Sequence, residues 1–194
     1  MLQLVNLSDR IGWAINRLFY GLWMKVICAM SGIALGKGST FYGKPKFKKL
    51  APSSKFLIGN NACFRSRATS NLIGINRPCI FSVNTEKAVL EIGDGCGFSG
   101  TVIGCFEKIT LGKNVRCGAN TLITDSDWHP EDPRGGTCSP VSIADNVWLG
   151  VNVIVLKGVS IGRNTLIGAG SVVSKDIPEN VIATGNPCRV IRQL

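Results

Sequence analysis

The chain has 194 residues, enough for one domain with a short appendage, and 45% of them are apolar, which excludes a disordered chain. Glycine is abundant at 23 residues and aromatics total 14, so tight turns and an aliphatic core are expected. The net charge of +10 is carried entirely by residues 1–80, where 12 Lys/Arg face the single acid Asp9; residues 81–194 hold 10 Lys/Arg against 11 Asp/Glu.

In chain order, residues 1–50 read as an apolar, basic leader, partly helical. They hold eight Lys/Arg. Arg17 and Lys25 interrupt the apolar run of 11–36, which is too short between charges to span a bilayer and lacks the cleavage site of an export signal. Trp13, Phe19, Tyr20 and Trp23 beside Arg17 and Lys25 suit two destinations. One is an anionic membrane interface; the other is a cap packed on the open end of the fold. Nucleic acid is not expected as a partner.

Residues 51–194 are expected to be one domain built on a six-residue period. Stepping by six from Ile143 gives Leu149, Val155, Ile161, Ile167 and Val173. Four positions after each member stand Val147, Val153, Val159, Thr165, Ser171 and Ile177. Asn146, Asn152 and Asn164 occupy the turns, and Leu111, Cys117 and Ile123 keep the phase earlier; Ile58 and Ile92, each followed by glycine, keep it more loosely. Each hexad is a short strand and a turn, and three hexads close a triangular coil whose aliphatic residues stack on the next. The fold class predicted is therefore all-β: a parallel β-helix, a triangular prism of hexapeptide coils, with a helical leader.

The phase fails between Ile123 and Ile143. The segment between them contains Pro130, Pro133, Gly135, Gly136 and Pro140, which predicts one extended loop, 127–141, thrown out of the prism. His129, the only histidine, stands at its root and is the candidate general base. Asp125, Asp127 and His129 alternate, so an extended strand would put them on one face, with Asp127 orienting the imidazole. The eight cysteines are scattered without a C-x-x-C pair and read as reduced, mostly buried thiols of a cytoplasmic protein.

The stretches WHPEDPR, VWLG, GVSIG, IGAGSVVSKDIPENV and GNPCRVIR, in that order from Trp128 to Arg192, resemble the maltose/galactoside O-acetyltransferase group of the hexapeptide-repeat acetyltransferases. The resemblance implies a left-handed helix, a homotrimer with sites between prisms, and acetyl-CoA as co-substrate with no metal. It implies His129 as base, Trp148 as a cleft wall, and Val151, Ala169, Ser174 and Lys175 at the coenzyme. Arg189 and Arg192 match residues that reach its phosphates. Where the group carries an asparagine that helps bind the acceptor and the developing oxyanion, this chain reads GFSGTVI, which makes Ser99 the nearest polar candidate. The basic leader is closer in character to acetyltransferases of surface-polysaccharide synthesis. The expected activity is O-acetylation of a sugar hydroxyl on a glycan or its precursor, in the cytoplasm or at the inner face of the membrane. N-acetylation of an amino sugar, or acetylation of an antibiotic, is the alternative for the same cleft. A β-helical carbonic anhydrase would need three zinc-binding histidines where this chain has one, and a bare scaffold would not need the histidine loop.

Overall fold

The computed structural model describes residues 7–129 and 131–194; of side chains before residue 17, only that of Ala14 is described. The expectations for Trp13 and Pro130 therefore lie outside the described residues.

The chain is a left-handed parallel β-helix with three flat faces. Face 1 runs from Ala34–Leu35 through Lys55–Ile58, Val89–Ile92, Lys108–Leu111 and Val141–Ile143 to Ser160–Ile161. Face 2 runs from Thr40–Tyr42 through Cys63–Arg65, Gly97–Ser99, Arg116–Cys117, Trp148–Leu149 and Leu166–Ile167 to Val181–Gly185. It ends with Cys188–Gln193, which turns back antiparallel. Face 3 is Lys46–Lys49, Ile80–Val83, Val102–Cys105, Leu122–Thr124, Ile154–Val155 and Val172–Val173.

The period positions do what six-residue spacing demands. Ile143, Leu149, Val155, Ile161, Ile167 and Val173 are all buried, as are the residues four positions after each. At the turns, Asn114, Asn120, Asn146, Asn152 and Asn164 adopt φ between 54° and 62°, a region closed to most L-residues and open to asparagine. Between faces 1 and 2 the asparagines form a ladder: Asn114 donates to Asn146 at 3.2 Å, Asn146 to Asn164 at 3.2 Å and Asn164 to Asn180 at 3.0 Å. One side chain per coil thus fixes the register of that corner.

The upper coils are filled differently. Phe41, Phe47, Phe56, Phe64, Phe81 and Phe98 interlock inside the prism, with Phe41 stacked on Phe64 at 5.0 Å and Phe64 on Phe98 at 5.3 Å. Each buried ring contributes about 1.5–3 kcal/mol. The first coil is made of residues 34–49, inside the 1–50 span expected as leader, because Phe41 and Phe47 supply the inward side chains. The leader proper is the helix α1, Leu7–Met30. It packs on the end of the prism through Met24 and Cys28.

All eight cysteines are free, six of them buried. Burial pushes the Cys28 and Cys96 thiols up to about 11 and raises Cys117 well above the ordinary range, so these sulfurs stay protonated and inert.

Candidate active site

Two segments leave the prism. The loop 125–140 departs from the corner between faces 3 and 1, after the fourth coil. The second excursion, 66–79, leaves the corner between faces 2 and 3 in the second coil and contains the short 3-10 turn Ala68–Ser70.

The histidine loop has a pinned neck. Asp125 is fully buried, and its carboxylate accepts the N–H groups of Phe106 and Glu107, each at 2.8 Å. Its carbonyl accepts from Ser139 at 2.9 Å, so both ends of the loop meet at this residue. Asp125→Ala strands two backbone donors, and about 1–3 kcal/mol of stability should be lost in denaturant unfolding. Trp128 takes φ 68°, a strained conformation for a bulky residue, and it is held by packing: its ring meets Phe106 edge-on at 5.2 Å. The indole also lies over Gly104, where any Cβ would overlap it.

That left-handed residue overturns one expectation. Asp125, Asp127 and His129 do not share a face: Asp125 is buried against the Phe106 and Glu107 backbone, Asp127 is exposed, and the turn at Trp128 separates Asp127 from His129. Asp127 makes no bond to His129. Its carboxylate accepts from Lys157 and, at 3.0 Å, from the Gly136 N–H, which tie the loop to the prism corner. The Lys157 bond, then the Gly136 N–H, hold the Asp127 carboxyl below its ordinary range. The carboxylate facing the imidazole is Glu131, with Oε1 3.3 Å from His129 Nδ1. The His129 side chain is 75% exposed. A proton on Nδ1, facing Glu131, leaves Nε2 as a free acceptor pointing away from that contact.

The other expected site residues fall into two groups. Trp148 on face 2, with Val151 and Ala169 at the corner between faces 2 and 3, borders an open groove of about 420 Å³. Its floor is glycine backbone: a Cβ on Gly118 would come within 2.6 Å of Gly150, and one on Gly150 within 2.7 Å of Ala169. Trp148, 52% exposed, forms a wall. Ser99 lies one coil above on the same corner, buried, and its Oγ accepts from Asn71 Nδ2 at 3.1 Å. Arg189 pairs with Thr184 at the foot of this corner, whereas Arg192 pairs with Ile182 further along face 2. Ser174 and Lys175 follow Val172–Val173 and are exposed at the opposite corner, on the side of the histidine loop.

Asn71 and Ile73, which line the groove, were not singled out by sequence. The excursion that carries them folds down along the corner: Asn120 donates to Gly74 at 3.0 Å and accepts from Asn76 at 3.1 Å. Its signal was the spacing from Ile58 to Ile92, 34 positions for residues paired in adjacent coils, where the regular coil from Ile143 to Ile161 takes 18.

The two edges of face 3 thus carry different equipment, and the face between them is apolar. Ile80, Val102, Leu122, Ile154 and Val172 point outward in register, each paired with the next and none fully buried.

Comparison with known proteins agrees with this architecture. Residues 140–175 match the family model of the bacterial transferase hexapeptide (six repeats). The chain is 46% identical over 90 residues to the galactoside O-acetyltransferase of Escherichia coli K12, covering 44% of each chain. It is 50% identical over 91 residues to that of Lactococcus lactis, again covering 44% of each. The chain therefore matches less than half the length of these relatives. In fold it resembles the Bacillus cereus N-acyltransferase AntD, solved with dTDP-4-amino-4,6-dideoxyglucose and coenzyme A, at TM-score 0.67 and 18% identity over 88% of each chain. It also resembles the polySia-specific acetyltransferase NeuO, at TM-score 0.55 and 22% identity over 83% of this chain and 78% of that one. In its coil and its repeat the chain is similar to the hexapeptide-repeat acetyltransferases, and over its matched residues to the galactoside O-acetyltransferases.

Proposed function

We propose that the protein is an acetyl-CoA-dependent O-acetyltransferase acting on a sugar hydroxyl, with His129 as general base and a site completed between prisms of a homotrimer. The observation that carries this reading is the division of labour across face 3. The histidine loop, Ser174 and Lys175 stand at one edge; the Trp148 groove stands at the other, with an apolar ladder between. Three prisms turned with this face inward close a ring in which the loop edge of one meets the groove edge of the next.

The residues present suit the coenzyme. Glycine and alanine leave the groove floor open to an extended ligand, and Arg189 and Lys175 bring cations to its polyanionic end from adjacent prisms. Acetyl-CoA supplies the acyl group as a thioester. His129 Nε2 takes the proton of the acceptor hydroxyl as its oxygen bonds to the thioester carbon, and returns that proton to the thiolate sulfur when the C–S bond breaks. Glu131 fixes the tautomer and offsets the charge of the imidazolium, the part expected of Asp127, which instead positions the loop. Direct transfer fits the inert thiols of the core. Ser99 with Asn71 forms a hydroxyl–amide pair at the head of the groove, where an acceptor oxygen or oxyanion would be held. A surface-glycan precursor is the acceptor favoured, and unpaired thiols with an acetyl-CoA substrate fit the cytoplasm.

Release of free thiol from acetyl-CoA, measured across sugars, amino sugars, nucleotide sugars and glycan fragments, tests the activity. No release with any hydroxyl acceptor, together with turnover of amino sugars, would convert the reading to N-acetylation. Neutralising Lys175 or Arg189 should raise KM for acetyl-CoA roughly tenfold while changing kcat little, since phosphate contacts are equal in ground and transition states.

A further inference from the structure

We infer that α1 and the first coil form a binding site for the phosphate of an anionic membrane lipid, with the outer face of α1 lying in the acyl boundary. The inference stands apart from the catalytic reading and uses none of its residues.

At 100° per residue, Met24 and Cys28 define the side of α1 that packs on the prism. Leu18, Phe19, Leu22, Trp23, Val26 and Met30 occupy the opposite arc, and each is at least 42% exposed. A helix that buries one apolar face and still shows another has a second apolar environment to meet. No helix among the described residues is long and apolar enough to cross a membrane. An interfacial position is what remains for such an arc at a bilayer.

The charge at its flank selects the surface. Arg17, Gly21 and Lys25 follow at four-residue spacing on the prism side of Leu18 and Leu22, and across from them stand Ser39 and Thr40 of the first coil. Together with Leu18 and Leu22 they line a groove of about 230 Å³. Gly21 keeps it open, since a Cβ there would meet nothing within 4 Å. Among the described residues the ion pairs all lie between residues 127 and 179, so Arg17 and Lys25 face the groove without a carboxylate partner. Two cations and two hydroxyls converging beside an apolar arc match a lipid phosphate whose chains run along the helix. Lys44, which lies 5.3 Å from the Trp23 ring, and exposed Lys46 and Lys48 extend the positive surface at the same end.

Co-sedimentation of the full chain with vesicles of phosphatidylcholine, alone or mixed with phosphatidylglycerol, tests the site. Binding should require phosphatidylglycerol and weaken with salt. Arg17→Gln combined with Lys25→Gln should lower it roughly thirty-fold. Gly21→Met, which fills the groove while favouring helix, should remove the preference for phosphatidylglycerol, and Leu22→Asp should abolish binding to either vesicle. Unchanged thermal unfolding of the variants keeps a loss interpretable. Three results would overturn the inference: equal binding to both vesicle types, protection by glycerol phosphate with no vesicle binding (a soluble phosphate site), or self-association broken by Leu22→Asp without vesicle binding (a second copy on the arc).

Discussion

His129→Ala is expected to lower kcat by roughly 10²- to 10⁴-fold, the range for loss of a general base, with KM for acetyl-CoA nearly unchanged. The fold should not suffer, because the imidazole is 75% exposed and its partner among the described residues is the equally exposed Glu131. The loop is held by other groups: the Asp125 carboxylate on Phe106 and Glu107, the Asp127 carboxylate on Lys157, and the Trp128 ring against Phe106. Thermal unfolding of the variant should match that of the parent, which separates lost chemistry from lost structure. Near-normal turnover in a correctly folded variant would remove His129 from the mechanism. Glu131→Gln should have the smaller effect of a positioning residue, seen as a change in the pH profile of kcat that Asp127→Asn does not reproduce.

Much of this arrangement is legible in the sequence because a six-residue period is a strong geometric constraint. From Leu111 onward each aliphatic member of the period points inward, and the one break in phase marks the loop that carries the histidine. The upper coils are harder to read. There Phe41, Phe47, Phe64, Phe81 and Phe98 replace the aliphatic residues, and in Lys46–Lys49 the single inward Phe47 is framed by lysines, so the first coil resembles a charged leader. The 66–79 excursion is hidden by the same irregularity, and Asn71 with it. Alternation sets Asp127 beside His129 only on an extended chain, and Trp128 between them is left-handed. The proposed cross-chain site is not a matter of period at all. The proposal rests on the corner each residue occupies, with Val151 and Ala169 at one edge of face 3 and His129, Ser174 and Lys175 at the other.

Mixing two inactive variants tests that division directly. His129→Ala keeps an intact groove, and Ala169→Trp, at an exposed corner position, blocks the groove while keeping the loop. Each should be inactive alone. If sites form between neighbouring prisms, co-refolding equal amounts pairs an intact loop with an intact groove at about one site in four, by random assembly of a closed ring. Thiol release should therefore return to about a quarter of the parent rate, in step with the formation of mixed trimers. If the mixture assembles and stays as inactive as its components, His129 and the Trp148 groove do not serve one another across a subunit boundary, and the account of the site fails.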